Sequence, residues 1–138
     1  MLFTEDYAPI LATKLIGLSR LCNSEVVIVD ADKLSGGFTK ELRAGDYARV
    51  CFPEYGGSLF GLYMMAERLN FSGIGLFPDL VHDGKIWGGL HLDIRSLQPS
   101  EQGLRWIGLD QFSRKEKRKI EVYHPATVKN LKKFYILK

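Results

Sequence analysis

A chain of 138 residues, 46% hydrophobic and 25% charged, holds enough apolar material for one core and too much for a disordered polymer. A domain of this size buries roughly two-thirds of the surface its unfolded chain exposes, so folding calls for neither a disulfide nor a metal, and residues 1–138 are expected to form a single unit. Two isolated cysteines, Cys22 and Cys51, exclude a Cys-x-x-Cys metal knuckle or redox motif and read as buried thiols, with a disulfide between them as the alternative. No apolar run approaches the length of a membrane span, and Glu5 and Asp6 ahead of any lysine are wrong for a secretory signal, so the chain is expected to be made in the cytoplasm.

In chain order, Thr4 reads as an N-cap with Glu5 and Asp6 in the first turn. Tyr7, Ile10, Leu11, Leu15, Leu18 and Leu21 then recur at helical spacing, which predicts a helix over about 5–21 with Pro9 in its opening turns. The β-branched run Val26–Val29 predicts a short buried strand. Asp30 and Asp32 follow at its exit. They read as turn chemistry before Ser35-Gly36-Gly37, or as carboxylates at a sheet rim able to bind a metal. A helical turn over 39–43 and a strand over 47–52 come next. Ser58 reads as the N-cap of a helix whose face is Leu59, Leu62, Tyr63, Ala66 and Leu69, ending near Asn70.

Gly73 to Phe77 predicts a strand packed close to a neighbour, because its glycines lack side chains, and Pro78 ends it. Asp83-Gly84 is a hairpin signal that would pair the strands carrying Phe77 and Trp87. Leu90 to Arg95 then alternates. In an extended strand Leu90, Leu92 and Ile94 share one face, while His91, Asp93 and Arg95 share the other, about 7 Å apart in a row. A further strand is expected over 104–109. In the last quarter Pro125 would open a helix at its first position, with Val128 and Leu131 facing inward.

The order Leu69-Asn70-Phe71-Ser72-Gly73-Ile74-Gly75-Leu76-Phe77-Pro78, a short polar loop, and Leu90-His91-Leu92-Asp93-Ile94-Arg95, followed later by Arg105-Trp106, resembles the D-Ala-D-Ala carboxypeptidase-like zinc peptidases and murein endopeptidases of the hedgehog/DD-peptidase fold. The resemblance covers about a quarter of the chain. It implies an α+β fold, with a small central, mostly antiparallel sheet flanked by helices, and action on peptidoglycan stem peptides. It also implies zinc at His91 and Asp93, with Asp93 and Arg95 as catalytic residues and Trp87 and Arg105 as substrate contacts. Members of that group carry an upstream Ser-x-His-x-x-Gly-x-Ala-x-Asp motif. This chain has no histidine before His82, so Asp30 or Asp32 would have to complete the metal shell.

Two functions follow. One is a zinc-dependent peptidase, in which the metal polarises the scissile carbonyl and acidifies its bound water. The other is a non-catalytic relative, a cell-wall-binding or phage-structural protein that keeps the sheet and lacks the zinc site. The segment 114–138 bears on both, since its nine Lys/Arg against two Glu give a net charge of +7, leaving −4 for the rest of the chain. Such a segment fits a polyanion or a solvated helical face.

Overall fold

The computed structural model describes residues 7–29, 42, 45–97 and 103–138. The Thr4 cap, Asp30, Asp32, the turn at Ser35 and most of the expected helical turn over 39–43 lie outside the described residues.

Helix α1 spans Pro9–Cys22, four residues later than the periodicity predicts, with Pro9 at its start and Ala8 at the N-cap position. Proline there loses no helical hydrogen bond. Leu11, Leu15, Leu18 and Cys22 are buried, whereas Ile10 and Leu21, expected on the same face, point outward. Asn23 ends the helix in the left-handed region, φ 53°. Helix α2 spans Leu59–Glu67, and Ser58 Oγ accepts from the Gly61 N–H at 3.0 Å as the sequence predicts. Helix α3 spans Val128–Lys133 behind a Thr127 cap. Pro125 therefore does not start it, and Val128 is exposed while Leu131 is buried.

The strands are β1 (Val27–Ile28), β2 (Tyr47–Cys51), β3 (Gly73–Phe77), β4 (Val81–His82), β5 (Lys85–Ile86), β6 (Gly89–Asp93), β7 (Leu104–Ser113) and β8 (Arg118–Pro125). Among the described residues, six form one sheet in the order β1-β2-β6-β3-β7-β8. The fold is α+β as expected, but the sheet is mixed rather than mostly antiparallel, because β3 and β7 run parallel at its centre. The β3–β7 link is long enough for a crossover containing β4, β5 and β6, which a parallel pair requires. β4 and β5 form a separate hairpin about Asp83 and Gly84, both at positive φ. That hairpin shifts the expected pairing: Phe77 faces Gly89, not Trp87.

Side-chain alternation divides the sheet into two unlike faces. Ala48, Val50, Ile74, Leu76, Leu90, Leu92 and Ile107 join Leu11, Leu15, Leu18, Leu62, Ala66 and Leu131 of the helices in the main core. The register places Arg49, Gly75, His91 and Trp106 side by side on the other face. Past Ile107, β7 leaves β3 behind and continues paired only with β8, so the two form an arm that reaches beyond the sheet.

Candidate functional site

The predicted row exists, with His91 and Asp93 sealed on β6 and Arg95 partly exposed just past its end. His91 and Asp93 have no exposed surface. His91 Nε2 lies 2.8 Å from Asp93 Oδ2. Arg95 grips the same carboxylate as a fork, Nε donating to Oδ1 at 2.9 Å and Nη2 to Oδ2 at 2.5 Å, with the Arg95 backbone N–H adding a 3.3 Å contact. Space for this carboxylate comes from the neighbouring strand. A Cβ on Gly73 would fall 2.0 Å from Asp93 Oδ2, and one on Gly75 would fall 2.6 Å from the Trp106 ring. The two glycines of Gly73-Ile74-Gly75 thus make room for an acid and an indole. The imidazole is flanked by Tyr47, stacked at 5.9 Å between ring centroids, and by Trp106 at 4.9 Å.

Burial by itself would raise the Asp93 carboxyl, but hydrogen bonds from Arg95 and His91 outweigh it and hold the group at about 2. Burial pushes His91 the opposite way, below its ordinary value, and the bond to Asp93 only partly opposes that. The pair is therefore a neutral imidazole donating Nε2–H to a carboxylate. Nδ1 is left as an acceptor with no partner among the described residues.

In this arrangement the donors expected at zinc are turned toward one another. Both Asp93 oxygens and His91 Nε2 are engaged with one another and with Arg95. Directly across from His91 in the β2–β6 register stands Arg49, a fixed cation whose field also disfavours a charged imidazole. Among the described residues no three His, Cys, Asp or Glu side chains converge as metal ligands. Asp30 and Asp32, expected to complete the shell, lie outside those residues.

Arg105 and Trp87 are placed elsewhere. Arg105 donates to Glu67 Oε1 at 2.6 Å and to the carbonyls of Phe71, Ser72 and Leu104, tying the end of α2 to β3 and β7. Trp87 follows the β4–β5 hairpin, with its Nε1–H donating to the His82 carbonyl at 2.9 Å. Neither belongs to the His91–Asp93–Arg95 network.

On the same sheet face, toward the arm, a cavity of about 480 Å³ opens to solvent. Its size lies within the roughly 300–1,000 Å³ of small-molecule sites. Arg49, only 3% exposed, forms part of its lining. The guanidinium lies 4.1 Å from the Phe77 ring centroid and donates to Glu121 Oε1 at 2.6 Å. Tyr123 Oη donates to the other Glu121 oxygen at 2.6 Å, which fixes the acid from both sides. Asp110 faces Glu121 across β7–β8, and its backbone N–H donates to Asp79 Oδ2 at 3.1 Å. Partial burial, then the like charges of Asp79 and Glu121, raise the Asp110 carboxyl above its ordinary value. Sequence reasoning gave none of the charged residues here a role in a site. The available signal was an arginine inside an otherwise apolar strand, Tyr47-Ala48-Arg49-Val50-Cys51, since a buried arginine requires a partner.

No family model matches the chain, and neither a curated protein nor a solved structure matches it.

Proposed function

We propose that this chain is a peptidase-like domain that binds cell-wall stem peptides and does not cleave them through His91 and Asp93. The observation carrying this reading is the His91–Asp93 pair, without exposed surface and gripped by Arg95, beside an open, charged cavity. A hydrolytic group must reach its substrate and hold a position for water, and here the imidazole and carboxylate face each other and an arginine instead. The cell-wall assignment rests on the sequence resemblance. Its three pieces, Gly73–Phe77, His91–Arg95 and Arg105-Trp106, are carried on or just beyond the adjacent strands β3, β6 and β7, with Trp106 and not Arg105 on the His91 face. The exposed cations of the β7–β8 turn, Arg114, Lys115 and Lys117, suit the anionic polymers that accompany peptidoglycan.

The test is co-sedimentation with purified peptidoglycan, with release of new free amines followed in the same samples and zinc content measured after equilibration with the metal. Binding without amine release and without stoichiometric zinc is expected. One zinc per chain that is lost in His91→Ala, together with amine release, would overturn the non-catalytic reading. Absence of binding would overturn the cell-wall reading.

A further inference from the structure

The cavity between the arm and the β3–β4 turn has a composition that selects a ligand. Six charged side chains line it: Arg49, Arg118, Lys119, Asp79, Asp110 and Glu121. Arg49 and Glu121 are spent on each other at 2.6 Å in the partly buried floor. What remains for a ligand is two carboxylates, Asp79, which accepts from the Asp110 backbone N–H at 3.1 Å, and Asp110, with two cations on the exposed rim, Lys119 and Arg118, the latter in a 3.5 Å surface pair with Glu116. Apolar surface from Phe77, Leu80, Val81 and Ile120 lines the same cavity. The remaining charges balance in sign, the carboxylates on the β3–β4 turn and β7 and the cations at the start of β8, where Lys119 already offsets part of the acid at Asp110, so an ion of one sign meets repulsion as well as attraction. A molecule with both signs at the ends of an aliphatic spacer satisfies both groups and covers the apolar wall.

We propose that this cavity binds a zwitterionic peptide unit, with its side-chain ammonium at Asp79 and Asp110, its aliphatic stem against Leu80, Val81 and Ile120, and its carboxylate at Arg118 and Lys119. The raised Asp110 carboxyl agrees, because burial first and then repulsion from Asp79 and Glu121 raise it, and a bound ammonium relieves the second of these. As an account of which part of a stem peptide is held, the assignment rests on the function proposed above. As a statement of ligand chemistry it stands alone.

The experiment titrates the full chain, followed by NMR, with Nα-acetyl-lysine, Nα-acetyl-norleucine and Nα-acetyl-lysine amide. The second lacks the ammonium and the third lacks the carboxylate. Nα-acetyl-lysine is expected to bind at millimolar concentration and shift the amides of Asp79, Asp110 and Lys119. The norleucine compound should bind at least tenfold more weakly, and the amide three- to tenfold more weakly. Asp79→Asn with Asp110→Asn should abolish the preference for the ammonium while leaving the thermal midpoint unchanged. Equal binding of the three compounds, or none, overturns the assignment, as does peptidoglycan binding that the double variant leaves intact. If the preference holds but peptidoglycan does not sediment the protein, the ligand chemistry stands and the cell-wall function falls.

Discussion

Asp93 and Asp110 lie on the same sheet face, and their surroundings turn them to opposite ends. Asp93 is wholly buried, gripped by Arg95 and His91, and held ionised at about 2. Asp110 is exposed beside two other acids, and its carboxyl is raised. A carboxylate whose oxygens are all engaged internally maintains structure. A carboxylate crowded by like charges at a cavity is stabilised by an added cation. Similar chemistry in the sequence thus divides into a structural clamp and a candidate contact.

Breaking the clamp should have the largest effect. Asp93→Asn removes the charge that Arg95 and His91 surround, and loss of one partner of a buried ion pair costs about 3–5 kcal/mol. Urea unfolding should show that loss as a lower midpoint at unchanged slope. Gly73→Ala attacks the same point from the neighbouring strand, since the new methyl meets the Asp93 carboxylate. Overpacking of this kind costs about 1–3 kcal/mol, and restoring glycine's space by a second change, Asp93→Ala, should not add the two penalties in full, because the sites are in contact.

Acid should loosen the clamp in two windows. His91 has a folded value below its ordinary 6.5, so the unfolded chain takes up a proton first and stability falls as pH drops below about 6.5. Asp93 has a folded value of about 2 against an ordinary 3.8, so its contribution is complete above pH 3.8 and is lost as pH falls toward 2. Unfolding free energy measured against pH should show both declines. His91→Gln should erase the upper one and leave the lower. Asp110→Asn should move stability least, within about 0.5 kcal/mol as for surface sites, while weakening the cavity's preference for an ammonium group.

The sequence announced the clamp far more clearly than the cavity. Strict alternation from Leu90 to Arg95 separates two faces, and Gly73 and Gly75 signal a close approach, so local rules recover the row and the room made for it. They do not reveal burial, which depends on Tyr47 and Trp106 arriving from other strands to flank His91. The cavity depends on still longer range. Arg49 meets Glu121 from 72 residues away, and Asp110 meets Glu121 only through the register of a hairpin whose second strand was hidden in a basic run. There Ile120 and Val122 alternate with Glu121 and Tyr123, a strand pattern that the surrounding lysines and arginines obscured. Pro125 ends that strand, although a proline there also suits the first position of a helix.

The most direct test of the sealed clamp is the nitrogen-15 spectrum of the His91 imidazole, followed from pH 8 to pH 5 with and without zinc. A ring protonated at Nε2 that is still neutral at pH 6.5, indifferent to zinc, is expected for an imidazole locked on Asp93 away from solvent. Titration near 6.5, or a zinc-induced shift at Nδ1, would contradict it and return His91 to the reacting centre.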